Sequence, residues 1–177
     1  PVFFSAVLII LVLAQSGVGA ADYEPAKRIM VFLLGPATVS LAVPLYKNRQ
    51  TLLRNTLPAL LGLGVGSLAT LGVALVLARL LGLPEVMLAS ISIKSVTAPI
   101  AMGIAERINV SPTLTAVFAV TTGILGAILV RFVMDGIGMK SWWQRGFAVG
   151  VAAHGSGTSR AFSVHPEAGT YASLGMG

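Results

Sequence analysis

The chain has 177 residues, 55% hydrophobic and 10% charged, with a net charge of +6 and a mean hydropathy of +0.88. Soluble domains carry roughly 25% charged residues, so this chain lacks the polar surface to cover itself in water and sorts with helical membrane proteins. Without cysteine there is no disulfide or thiolate chemistry, two histidines cannot build a metal site alone, and the basic residues are scattered between apolar runs rather than gathered into a nucleic-acid-binding face.

One membrane domain over residues 1–177 accounts for the length, and both apolar ends read as cut from a longer protein. A signal peptide over residues 1–21 would need a basic start, which is absent. The run Val2–Ala14 is short for a span, and Gln15–Glu24 reads as a loop. Ile29–Tyr46 is uncharged but interrupted by Gly35-Pro36 and again by Pro44, so its helix is expected to bend or unwind around Ala37-Thr38-Val39-Ser40. Lys47, Arg49 and Arg54 mark the loop that follows. Asn55–Ala78 is long enough to span, with Pro58 in its first turn and Gly62 and Gly66 at the spacing that lets helices approach.

Val86–Ala105 is interrupted by Lys94 and Pro99 and ends at Glu106-Arg107. Ile108–Val130 is a second uninterrupted span, led by Pro112 and carrying Gly123 and Gly126. Asp135–Arg145 reads as a charged loop with Trp142-Trp143 as an anchor at headgroup level. Glycine density in His154-Gly155-Ser156-Gly157-Thr158-Ser159 argues against a continuous helix there. His165-Pro166-Glu167 reads as a turn, and Ala168 onward opens a final span.

Short stretches recur about 55 residues apart: Val39-Ser40 with Val96-Thr97, Pro44 with Pro99, Pro58 with Pro112. Each time an interrupted element precedes a proline-led, glycine-rich span, as internal repeats of transporters would give. If Val86–Ala105 enters and leaves on one side, the basic loops 47–54 and 131–145 fall together, which suits the positive-inside tendency. The predicted fold is therefore all-α and polytopic, with inverted repeats and discontinuous or re-entrant helices.

The candidate site residues follow from the cost of polarity in lipid. A charge at membrane depth costs about 2.5–3.5 kcal/mol on insertion scales, and Lys94 sits among Ser92, Ser95 and Thr97 beside the helix-breaking Pro99. Lys94 either snorkels or pairs with Glu85 or Glu106, or it contacts an anion within the hydroxyl cluster. Arg160 either bridges to Glu167 or offers its planar fork to a carboxylate. His154 is either a satisfied buried histidine or a proton carrier, flanked by Gly155 and Gly157, where backbone can approach a ligand, and by Thr158. Thr38 and Ser40, between Pro36 and Pro44, either pack helices or add hydroxyls to the site. Half-helix ends would aim partial positive charge at whatever lies between them. No nucleophile elbow, phosphate loop or carboxylate pair is present, so no catalytic residue, metal ligand or cofactor is expected.

The motifs Leu34-Gly35-Pro36-Ala37-Thr38-Val39-Ser40-Leu41-Ala42-Val43-Pro44-Leu45-Tyr46 and Lys94-Ser95-Val96-Thr97-Ala98-Pro99-Ile100-Ala101 resemble the first two signatures of the LrgB/CidB family. Thr122–Ala127, Arg145–Gly150 and Ala153–Ala161 are similar to later ones, and Glu167-Ala168-Gly169 also fits. Ile93 stands where members usually carry proline, and the family's first and last helices are missing. The resemblance implies a multi-pass protein of the bacterial inner membrane, or of the plastid envelope in a plant relative. It implies one of two roles: carriage of small organic acids of the glycolate, glycerate or pyruvate class, or antiholin-like regulation of murein hydrolase export and lysis without transport. Implied partners are a small carboxylate, membrane lipid, an LrgA/CidA-type membrane protein and further copies of the chain, and no nucleic acid.

Overall fold

Many large apolar side chains face outward in this protein, and alanine, serine and threonine make up much of its interior. Leu68 is 72% exposed and Phe132 70%, whereas the largest fully buried side chains are Thr115, Thr158 and Ser90. Lipid tails solvate leucine as well as a protein core does, so membrane helices gain by bringing small residues together and leaving large ones outside. The structure, a computed structural model, describes residues 2–17, 22, 24–40, 42–47 and 49–176. Among these it is helical with no strand.

The chain divides into two units, Pro1–Val43 and Pro44–Gly177. In the first, α1 (Val2–Ser16) precedes α2 (Glu24–Ser40), whose first turn carries an Arg28–Glu24 ion pair at 3.8 Å. The expected unwinding at Ala37–Ser40 is corrected: α2 stays helical through Pro36 to Ser40. Proline forfeits one ladder bond, whereas unwinding would leave several backbone groups without partners in an apolar setting.

In the second unit, α3 (Ala42–Lys47, beginning at the junction) and α4 (Arg49–Arg54) replace the expected basic loop by short helices. Then come α5 (Thr56–Leu80), α6 (Glu85–Ser92), α7 (Ala98–Arg107), α8 (Pro112–Gly136), α9 (Trp142–Val164) and α10 (Pro166–Met176). Helices α5 and α8, each of 25 residues, are long and apolar enough to cross a membrane. At 1.5 Å per residue each is about 37 Å long. Helix α8 starts cleanly because Ser111 Oγ accepts from Leu114 N and Pro112 needs no donor. It also runs past Val130, so Asp135 lies in its last turn rather than in a loop.

Helix α9 is two helices meeting at His154, whose backbone takes φ 40°, ψ −135°. That conformation, the first central position of a type II′ turn, favours glycine. The chain doubles back there. Trp142 and His165, at opposite ends of α9, stack at 4.9 Å with planes 5° apart, and an added Cβ on Gly157 would meet Ala153 at 2.7 Å and the Val149 carbonyl at 2.8 Å. Helix α10 then returns along residues 142–153, its Ala168 and Ala172 carbonyls lying against Gly146 and Gly150, where any side chain would collide with backbone. The Trp142-Trp143 pair is packed inward in part, Trp142 on His165 and Trp143 tilted on Tyr171.

The two interrupted elements share the long helices between them. Residues 142–153 lie on Gly62 and Gly66 of α5, through Phe147 and Val151, and on the far part of α8, through Ala153 at Gly126. Helix α6 lies on the other end of α5, where Leu88 and Ile91 cluster with Ala74, Ala78 and Phe118. Helix α7 lies on the near part of α8, where Ala101 and Ala105 cluster with Ala119.

Candidate functional site

The break between α6 and α7 spans residues 93–97. It forms because Pro99, tolerated in the first turn of α7, has no N–H for a helix continuing from α6 and its ring would clash with that helix, so the chain turns extended at Thr97. Thr97 takes an extended backbone and its side chain does not cap α7, so the first N–H groups of α7 remain open toward the break. Lys94 is half-buried there, and its Nζ donates to Ser95 Oγ at 3.3 Å. Neither Glu85 nor Glu106 pairs with Lys94 among the described residues, contrary to that reading of the sequence. Ser92 is exposed and donates to the Ala89 carbonyl at 2.6 Å.

The turn of α9 reaches the same place. A Cβ on Gly155 would stand 3.7 Å from Thr97 Cγ2 and 3.8 Å from Met176 Sδ. The His154 ring is buried, with Nε2 2.9 Å from the Ala119 carbonyl oxygen. A carbonyl can only accept, so Nε2 carries the hydrogen and Nδ1 is left as the second functional atom. Gly123, one turn further along α8, makes room for this ring: a Cβ there would lie 2.8 Å from His154 Cε1 and from Ser156 Oγ. Thr158, buried, donates to the His154 carbonyl at 2.9 Å.

Break and turn therefore meet near Ala119 and Gly123, about midway along α8. Two half-helices start at this point, α7 and the second half of α9, residues 155–164. The start of α7 has no side-chain cap, and helix starts carry partial positive charge. With the Lys94 ammonium nearby, such an arrangement can hold a small anion, and a carboxylate or phosphate oxygen suits it best.

Several sequence candidates lie elsewhere. Gly157 is a packing position against Ala153 and Val149. Arg160 is exposed, with its guanidinium 3.4 Å from Ser163 Oγ and no bridge to Glu167 among the described residues. It lines a cavity of about 390 Å³ at the far end of α8, whose lining includes Arg131, Asp135 and Arg145 but neither Lys94 nor His154. Pro44 lies in α3, Ser40 is exposed on α2 of the first unit, and the Thr38 side chain lies outside the described residues. Sequence reasoning missed the Ala119 carbonyl and Ser156, and took Gly123 for an ordinary span glycine. No grouping of His, Asp and Glu able to hold a metal occurs among the described residues.

Comparison with known proteins gives a consistent picture. The sequence model of the LrgB-like family matches residues 1–177. The uncharacterized protein YxaC of Bacillus subtilis is 33% identical over 176 residues, covering 99% of this chain and 76% of that protein. The uncharacterized protein YwbG of the same organism is 32% identical over 176 residues, covering 99% and 78%. The holin-like protein CidB of Staphylococcus epidermidis is 26% identical, covering 99% of this chain and 77% of its own. No solved structure matches.

Proposed function

The chain belongs to the LrgB-like family of membrane proteins, and from that premise we propose that it carries small organic acids of the glycolate, glycerate or pyruvate class. The observation that supports this most is the meeting of Thr97 with Gly155, which sets two half-helix N-termini and Lys94 around one point midway along α8. In this reading the substrate carboxylate lies between the N-termini of α7 and of residues 155–164, against Lys94 Nζ. Ser95 and Thr97 offer hydroxyls to the substrate's own oxygens, Thr158 holds the turn through the His154 carbonyl, and His154 Nδ1 takes up or releases a coupled proton.

Each limb of α9, residues 142–153 and 155–164, is about 15–18 Å long, too short to cross about 30 Å of hydrocarbon. We read α9 as re-entrant from one side and α6–α7 as re-entrant from the other, and the inverted repeats as those of the sequence, the interrupted element 29–46 with α5 and α6–α7 with α8. Exposure of the site would alternate as one repeat rocks against the other. The protein sits in the bacterial inner membrane with the basic segments 47–54 and 131–145 toward the cytoplasm.

A second reading, a regulator of murein hydrolase export acting with a CidA-type membrane partner and transporting nothing, draws on the holin-like name of CidB. Uptake of labelled glycolate and pyruvate into proteoliposomes containing the purified protein separates the two. Saturable uptake favours the carrier, and no uptake by a protein of intact helical content favours the regulator.

A further inference from the structure

The cavity beside Arg160 has a composition of its own. Its walls are apolar, with Val130, Val149 and Val164 among them, and its polar lining is Arg131, Arg145, Arg160 and Asp135. Asp135 is shared by two of the arginines: Arg131 approaches it at 3.7 Å and Arg145 is in direct contact with it. Arg145 also lies over the Trp142 ring, 5.6 Å from its centroid. One carboxylate thus faces three guanidinium groups, and among the described residues Arg160 meets a serine of its own helical turn and no carboxylate. The cavity carries two positive charges in excess.

Its position matters as much. Arg131 and Asp135 occupy the last turns of a 25-residue apolar helix, at the depth where hydrocarbon gives way to headgroups. A small metabolite would fill little of about 390 Å³ and would gain nothing from valine walls. We propose that this cavity binds an acidic phospholipid, its phosphate against Arg131 and Arg160 and the upper part of its acyl chains against Val130, Val149 and Val164. Basic pockets between membrane helices on the cytoplasmic side take anionic headgroups for this reason. The proposal does not depend on transport.

Trp142 lines the cavity, and the chain has one other tryptophan. In the full-length protein carrying Trp143→Phe, reconstituted in phosphatidylcholine vesicles, quenching of the remaining Trp142 by brominated lipid reads occupancy directly. Brominated phosphatidylglycerol should quench at several-fold lower mole fraction than brominated phosphatidylcholine. Arg131→Gln and Arg160→Gln, both at exposed positions, should each raise the mole fraction needed by about fivefold, while Arg160→Lys keeps most of the preference. Salt added to the protein with both arginines intact should erode the same preference, which keeps the test open if a variant misfolds. Equal quenching by the two lipids would overturn the proposal. So would displacement by millimolar glycerol phosphate, which would make this a site for a soluble phosphate ester.

Discussion

The Nε2 of His154 lies 2.9 Å from the carbonyl oxygen of Ala119, pinning the reversal of α9 to the middle of α8. The contact holds a non-glycine residue at φ 40°, a conformation that costs on the order of 1–3 kcal/mol and persists only where its surroundings enforce it. Strain and hydrogen bond act in opposite directions at one residue, and substitution can separate them. His154→Ala loses the bond and keeps the strain, while His154→Gly loses the bond and relieves it. Thermal melts in detergent should place His154→Gly above His154→Ala by roughly 1 kcal/mol, with the unsubstituted protein above both.

Glycines on the long helices should separate by environment. Gly123→Ala forces a methyl to within 2.8 Å of the His154 ring and Ser156, and overpacking of this kind costs about 1–3 kcal/mol. Gly72→Ala on α5 meets no described residue within 4 Å and should be neutral or stabilising by up to about 1 kcal/mol. Melting temperatures of the two variants check the contrast. Equal effects would mean that the His154 ring does not occupy this place.

Thr115 is fully buried, and its hydroxyl has no hydrogen-bond partner among the described residues. A buried unpaired hydroxyl costs about 1–3 kcal/mol. Thr115→Val replaces it with a methyl of the same shape, so the melting temperature should rise. A fall would show that the hydroxyl has a partner, such as a bound water.

In the uptake assay Lys94→Ala should abolish transport, because it removes the cation of the proposed carboxylate site. Arg160→Gln should leave initial rates within a fewfold of the unsubstituted protein, since Arg160 lines the cavity at the far end of α8. Loss of uptake in Arg160→Gln with retention in Lys94→Ala would move the substrate site to that cavity.

The two long spans were legible in the sequence, because uninterrupted apolar runs such as Asn55–Ala78 leave a helix little alternative in lipid. The break at residues 93–97 was legible from Pro99, whose effect on its neighbours is local. Glycine density at residues 154–159 correctly excluded one straight helix, but the reversal falls on His154 rather than on a glycine. That choice depends on the Ala119 carbonyl and the gap at Gly123, contacts 35 and 31 residues away in the chain that periodicity cannot register. The same limit hid the cavity: Asp135 and Arg145 read as a charged loop, whereas they face each other across the start of α9 with Arg160 folded back toward them. Pro36 misled in the opposite direction, since a single proline is tolerated inside α2.

The anion site exists only if the break at residues 93–97 meets the turn at His154. The chain has no cysteine, so thiols can be placed at will, and a Cβ at Gly155 would be in van der Waals contact with Thr97 Cγ2 at 3.7 Å, which sets thiols at the two positions side by side. In membranes treated with a mild oxidant, Thr97→Cys/Gly155→Cys should lose both free thiols to an intramolecular cross-link, seen as protection from a maleimide gel shift that reductant reverses. Each single variant should remain fully reactive. If both thiols of the double variant stay free while the protein keeps its helical content, the two elements do not meet, and no anion site exists between them.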